Sequence, residues 1–230
     1  MSISINIKAH LQNQGANFIH FIDISHLSKQ QNKKFSTAIL FGIALSPGYL
    51  NRISETPGYV KKIKQRKQIQ NDEFHLTELK TDRMADELVS YLAENGIDAY
   101  SQSEANIEAT GFYDEQNKIT PLPHKTIALM AGLGWIGKHN LLVTPEFGSG
   151  ISMCSVLCNI SEKTVRFAPS KSECGTCTVC VEICPTNALN GNSWEMGKSR
   201  EHIIDVHSCT TCYECVVHCP WTKKFIHNNL

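Results

Sequence analysis

Apolar residues at Ile3, Ile5, Ile7 and Leu11 ahead of Gly15 mark a short helix or a mixed opening element. Asn17 to Ile24 then alternates, with Phe18, His20 and Ile22 on one side and Ile19 and Phe21 on the other, which predicts a strand. Ser36 to Leu45 is almost continuously apolar and ends at Ser46-Pro47-Gly48, the pattern of a strand buried on both faces. From Tyr59 to Lys80 the chain is polar and reads as helix. Thr81 is expected to N-cap the next helix, with Met84, Leu88, Tyr91 and Leu92 at helical spacing and Gly96 as its stop. Ile97 to Ser101 reads as a strand, and residues 102–122 as a surface loop. A loop of that length in a compact domain points to function. Pro123 is expected as the first residue of a helix that runs to Gly132. Asn140 to Thr144 and Ile151 to Ile160, joined by a turn over 145–150, predict a β-hairpin. Beyond the hairpin, Asn187 to Asn190 and Arg200 to Ile204 read as helical pieces around a turn at Gly191 to Trp194. Helix followed by buried strand argues an α/β (α+β) N-terminal domain.

Composition adds little to that outline. The chain has 230 residues, 41% hydrophobic and 19% charged, as expected of a globular protein with a buried core. Lys+Arg and Asp+Glu both number 22, so net charge points to no polyanionic partner. Five basic residues fall in the seven positions Lys61 to Lys67, but Asp72 and Glu73 follow, and the run reads as a solvated helix face. No apolar run reaches membrane-spanning length and the N-terminus has no apolar leader, so a cytoplasmic protein with no membrane contact is expected.

Cysteine changes the picture. Residues 1–153 contain none, and all ten lie between Cys154 and Cys219. That asymmetry divides the chain into an α/β domain, residues 1–165, and a cysteine-bearing domain, residues 166–230. Within the second, Cys174, Cys177, Cys180 and Cys184-Pro185 repeat the spacing of Cys209, Cys212, Cys215 and Cys219-Pro220. Each run reads C-x-x-C-x-x-C-x-x-x-C-P, the arrangement of two-cluster ferredoxins, in which the fourth cysteine of each run serves the other cluster. The spacing therefore assigns Cys174, Cys177, Cys180 and Cys219 to one [4Fe–4S] cluster, and Cys184, Cys209, Cys212 and Cys215 to a second. Zinc sites favour paired C-x-x-C motifs and gain nothing from a third cysteine at that interval. Disulfide frameworks belong to short secreted chains. Cys154 and Cys158, four apart on an expected strand, read as buried free thiols.

One further motif invites a nucleotide reading. Gly132, Gly134 and Gly137 spell G-x-G-x-x-G, but a helix precedes them, a strand follows, and no acid stands about 20 residues on. A tight turn that brings backbone and Trp135 close to a flat or bulky group is the better reading. His124, Lys138 and His139 flank this turn and are the acid–base candidates, since histidine titrates near neutral pH.

Taken together, Ala131-Gly-Leu-Gly-Trp-Ile-Gly-Lys138, Leu141-Leu-Val-Thr144, Glu146-Phe-Gly-Ser149 and the paired cysteine runs resemble the epoxyqueuosine reductases and related short proteins with a double [4Fe–4S] cluster domain. The resemblance is specific from about residue 121 to 221. It implies a ferredoxin-like cluster domain after the α/β domain, and clusters that relay electrons to a reductive site holding cobalamin. It further implies that Gly132, Gly134, Trp135 and Gly137 lie against that cofactor or the nearest cluster. A low-potential donor of the ferredoxin or flavodoxin type and a small-molecule or modified-nucleoside substrate follow as partners. Two departures stand out. Lys118 occupies the position of the family's aspartate proton donor, and His124 that of its glutamate, counted from Pro121. Longer members continue into a helical region that helps hold tRNA, whereas this sequence ends at Leu230, so tRNA is not expected as a partner. The expected function is that of an iron–sulfur oxidoreductase, or alternatively a ferredoxin-type carrier serving a separate enzyme.

Overall fold

A computed structural model describes residues 2–160 and 170–230. In chain order its elements are α1 (Ile3–Asn13), β1 (Phe18–Asp23), α2 (Lys29–Asn32), β2 (Thr37–Ala44), α3 (Pro47–Glu55), α4 (Tyr59–Gln65), α5 (Glu73–Glu94) and β3 (Ala99–Ser101). There follow α6 (Glu104–Ala109), α7 (His124–Met130), β4 (Trp135–Ile136), β5 (Leu142–Val143), β6 (Ile151–Cys158), α8 (Val179–Glu182), α9 (Glu214–Val217) and α10 (Pro220–Asn229). The fold is mixed α/β, and it groups into two units that interleave along the chain. The described residues of the first lie within Met1–Ile43, Thr77–Gly132 and Ser152–Ala168, and those of the second within Ala44–Leu76, Leu133–Ile151 and Pro169–Leu230. The expected boundary at residue 165 falls outside the described residues. Residues 44–76 and 133–151, which the sequence pattern groups with the α/β part, pack with the cysteine runs instead.

The first unit is built on a sheet of order β1-β2-β6-β3, with β1 antiparallel to β2 and β3 antiparallel to β6. Central position explains the apolar runs: β2 and β6 are buried along nearly their whole length on both faces. Ile39 and Phe41 of β2 and Cys154, Val156 and Cys158 of β6, each two residues apart, share one face. Against it pack Ile7 and Leu11 of α1 and Met84, Ala85, Leu88 and Leu92 of α5. Cys154 and Cys158 are fully buried core thiols. Gly96, at φ 71°, ends α5 as the spacing predicts, and the Ile97 N–H returns to the Leu92 carbonyl.

The second unit buries Tyr49, Leu50 and Ile53 of α3 against Val216 and Val217 of α9 and Ile226 of α10. Ser46 caps α3 by accepting the Tyr49 N–H at 3.2 Å, with Pro47 opening the helix. Pro220 opens α10 in the same manner directly after Cys219.

Several expected elements differ in detail. The polar stretch from Tyr59 is not one helix: Lys67 at φ 55° and a 3-10 turn at Ile69–Asn71 separate α4 from α5. Thr81 lies inside α5, buried, its hydroxyl donating to the Glu78 carbonyl and meeting Ser152 at 3.1 Å. The cap is Asp72, whose carboxylate accepts the Phe74 N–H at 3.2 Å. Residues 102–122 contain α6, and Pro123 caps α7 rather than beginning it. The expected pairing of 140–144 with 151–160 is replaced by a shorter hairpin, Trp135 opposite Val143 and Ile136 opposite Leu142, while β6 joins the large sheet. Asn140 at φ 65° makes the tight turn between β4 and β5, its N–H on the Gly137 carbonyl at 2.9 Å. Asn187 to Asn190 is not helical; Leu189 bridges Ile204 instead, beside a 3-10 turn at Arg200–His202.

Candidate metal centre

The eight cysteines of the two runs lie in the second unit, Cys180 on α8, Cys215 on α9 and the other six on the segments flanking these helices, which pack on each other. Left-handed backbone at Gly175 (φ 50°), Thr211 (φ 51°) and Tyr213 (φ 64°) bends the loops. For the two non-glycine residues that conformation costs about 1–2 kcal/mol each, tolerated where the surroundings over-determine it.

Electrostatic neighbourhoods sort the thiols into two sets. Burial pushes the Cys180 thiol up to about 11, and Cys174, Cys177 and Cys219 add to the rise. Cys219 is raised by burial and then by the same Cys174 and Cys177. In the second set, burial followed by Cys212, Cys209, Cys180 and Cys184 raises Cys215. Cys212 is raised by burial, with Cys184 among its neighbours. Burial would also raise Cys184, but the backbone of Thr186, Ala188 and Leu189 and the Thr186 hydroxyl outweigh it and bring the thiol down. Cys219 thus neighbours Cys174, Cys177 and Cys180, and Cys184 neighbours Cys212 and Cys215. Among the described residues no three His, Cys, Asp or Glu side chains close on one point as a single-ion site requires. The sets are looser groups of four thiols, a donor chemistry that suits polynuclear iron–sulfur clusters and compensates the mutual repulsion of crowded thiolates with bound iron.

The two sets differ in surroundings. Trp135 and Val143 of the β4–β5 hairpin form an apolar group with Cys219, with Cys174 and Trp221 packed against it. The Trp135 and Trp221 rings meet edge to face, 4.9 Å between centroids. Lys138, only 8% exposed, donates from Nζ to the Cys177 carbonyl at 3.0 Å. Around the second set, Cys215, Tyr213, Phe74 and Tyr59 pack against the core that α3 shares with α9 and α10, the Glu214 carboxylate accepts the Gly58 N–H at 3.2 Å, and Cys209 is exposed. Val143 lies in the Leu141–Thr144 motif, whereas no sequence motif marks Trp221, which stands two residues after Cys219.

The glycines of the turn serve the hairpin itself. Gly132 takes φ 69° at the end of α7. A Cβ on Gly134 would fall 1.9 Å from the Val143 carbonyl oxygen, and one on Gly137 would meet His139 and Val143 below 3.0 Å. Trp135 is 1% exposed. These residues pack against their own chain, with Trp135 against Cys219.

Of the three acid–base candidates, Lys138 and His139 belong to the second unit and His124 to the first. His139 is buried, its Nδ1 accepting the Leu141 N–H at 3.2 Å, which leaves Nε2–H to donate to the Ser149 hydroxyl at 3.2 Å. Lys138 is committed to Cys177 as described. His124 belongs to the first unit, where the Ser155 hydroxyl donates to Gln102 Oε1 at 2.7 Å and accepts from His124 Nδ1 at 2.9 Å. Gln102 in turn donates to the Leu122 carbonyl at 2.8 Å. Because Ser155 donates away from His124, the pair is no activated nucleophile. Burial lowers the His124 pKa to about 4, so the ring is neutral near pH 7. Lys118 sits in a turn at φ 51° that Asp114 fastens, its carboxylate accepting the Asn117 N–H at 3.0 Å.

No protein-family model matches the chain. The epoxyqueuosine reductase of Synechocystis sp. is 31% identical over 124 residues, which cover 46% of this chain and 41% of that relative. That of Synechococcus sp. is 44% identical over 70 residues, 30% of this chain and 21% of the relative. The chain therefore spans less than half the length of these curated relatives. Among solved structures, the epoxyqueuosine reductase of Streptococcus thermophilus superposes with a TM-score of 0.53 at 15% identity, over 97% of this chain and 67% of that one. An epoxyqueuosine reductase solved with a modified tRNA stem loop gives a TM-score of 0.57 at 16% identity, over 96% and 65%. A reductive dehalogenase, whose structure bears on B12-dependent dehalogenation, gives 0.64 at 17% identity, over 94% of this chain and 31% of that one. Identities this low speak to fold alone. Over nearly half its length in sequence, and over almost all of it in fold, the chain resembles the epoxyqueuosine reductases.

Proposed function

We propose that this chain is an iron–sulfur oxidoreductase whose second unit carries two [4Fe–4S] clusters in a ferredoxin-like arrangement and relays single electrons to a reductive site. Cys174, Cys177, Cys180 and Cys219 hold one cluster; Cys184, Cys209, Cys212 and Cys215 hold the other. The observation that carries this reading is the exchange of the fourth cysteines, Cys219 neighbouring the first run and Cys184 the second. Cys180 is also a neighbour of Cys215, so the two clusters would adjoin, which suits transfer between them. When bound, the clusters supply one-electron chemistry at low potential; the chain supplies thiolates, burial and hydrogen bonds. An exposed Cys209 suits entry of electrons from a ferredoxin- or flavodoxin-type donor at that cluster. The likeness in sequence to epoxyqueuosine reductases favours a modified-nucleoside substrate in a cytoplasmic setting, and keeps tRNA among the probes to be tried.

A second reading, a ferredoxin-type carrier for a separate enzyme, draws on one observation: none of His124, Lys138 and His139 is a poised proton donor. His124 is neutral, Lys138 is held by the Cys177 carbonyl, and His139 by the Leu141 N–H and the Ser149 hydroxyl. Anaerobic purification followed by iron and acid-labile sulfide determination tests the shared core of both readings, with about eight irons and eight sulfides per chain expected. Zinc in place of iron contradicts it. Titrating the loaded protein with cobalamin and with an epoxyqueuosine-bearing stem loop then separates the two: binding or turnover of either favours the reductase, and inertness to both favours the carrier.

A further inference from the structure

Lys138 is a buried cation with an incomplete set of partners. Its side chain is 8% exposed, and its ammonium has three protons to donate. The described structure gives it one acceptor, the Cys177 carbonyl at 3.0 Å. Among the described residues no carboxylate lies within ion-pair distance of it. Buried charges are costly unless an opposite charge accompanies them. The hydrogen bond fixes this ammonium in the loop between Cys174 and Cys180, next to the set of thiols that Cys219 completes. A cluster held by four thiolates is anionic, and each added electron makes it more so; net charge and surroundings set its potential. The missing partner of Lys138 is therefore the cluster itself.

We infer that Lys138 is the fixed counter-charge of the cluster held by Cys174, Cys177, Cys180 and Cys219, raising its midpoint potential and easing the arrival of an electron there. This rests on the two-cluster reading above. It assigns Lys138 a positioning and electrostatic role in place of acid–base chemistry. Burial acts in the opposite direction, since a low-dielectric site disfavours the more highly charged reduced state. Among the described residues, the charged side chain recorded against the second set is Glu214, which adds to the rise of the Cys212 thiol and accepts the Gly58 N–H.

The test is a redox titration of the anaerobic holoprotein followed by electron paramagnetic resonance, on the natural chain and on Lys138→Gln, Lys138→Met and Lys138→Arg. Each sample is first assayed for iron. The inference predicts that, with eight irons retained, one cluster shifts to lower potential in the Gln and Met variants. The other stays in place, and Arg restores the natural value. Loss of half the iron from Gln and Met but not from Arg is the same dependence on positive charge carried to its limit. Eight irons with both potentials unmoved in Gln and Met would overturn the inference, as would loss of iron in all three variants. A natural chain without about eight irons defeats the underlying two-cluster reading instead.

Discussion

His124 illustrates how burial decides a residue's chemistry. Its folded pKa is lowered to about 4 from the ordinary 6.5, so between these values the unfolded chain binds a proton that the folded chain does not. Stability should therefore fall as pH drops from about 6.5 towards 4, by up to about 2–3 kcal/mol, and be fully present above 6.5. Replacing His124 with Asn, which can still donate to Ser155, should flatten that part of the pH profile in chemical denaturation relative to the natural chain. An unchanged slope would mean the ring is not held neutral. From sequence His124 reads as an acid–base candidate. What decides is the direction of the Ser155–Gln102 hydrogen bond, set by residues 53 apart. No local pattern carries that information. For the same reason Lys138 could be read as an acid but not as a partner of Cys177, which lies 39 residues on.

At the scale of elements, Asp72 joins more than its sequence position suggests. It caps α5, and its two carboxylate oxygens accept the hydroxyls of Tyr49 at 2.6 Å and Tyr59 at 3.2 Å. Burial first, and then this carboxylate, raise the Tyr49 hydroxyl well above its ordinary range, so it stays a donor. Asp72→Ala should cost about 2–4 kcal/mol, combining a lost helix cap with a buried Tyr49 hydroxyl left unpaired. Asp72→Asn, which retains an acceptor, should cost less; thermal or urea unfolding of the two variants checks the order. The long periodic features were legible: α1, β1, β2, the body of α5 and its Gly96 stop all follow from spacing of apolar residues. Short elements were not. A two-residue strand such as β5 offers no alternation to read, and the apolar run of β6 fits any partner, so the pairing of 135–143 was missed. The true start of α5 was missed because Asp72 sits twelve residues before Met84, the first of the apolar positions at helical spacing, where Thr81 offered a convincing but false cap.

For the molecule as a whole, the interleaving of the two units matters most. Residues 44–76 and 133–151 belong with the cysteine runs, so the surroundings of the thiols come from three separated stretches of chain. α3 and the β4–β5 hairpin both contribute to those surroundings: α3 through its packing on α9, the hairpin through Trp135, Val143 and Lys138. Linear composition cannot show this, because cysteine content marks where the ligands are and not what walls them. The two cysteine runs themselves are legible, since their spacing is local.

The crossed pairing of fourth cysteines is the central claim, and single substitutions read by electron paramagnetic resonance test it most directly. Cys174→Ser, Cys184→Ser, Cys209→Ser and Cys219→Ser should each alter one of two reduced-cluster signals and leave the other. The account predicts that Cys219→Ser alters the signal that Cys174→Ser alters, and that Cys184→Ser matches Cys209→Ser. If Cys219→Ser instead matches Cys209→Ser, each run holds its own cluster and the account is contradicted.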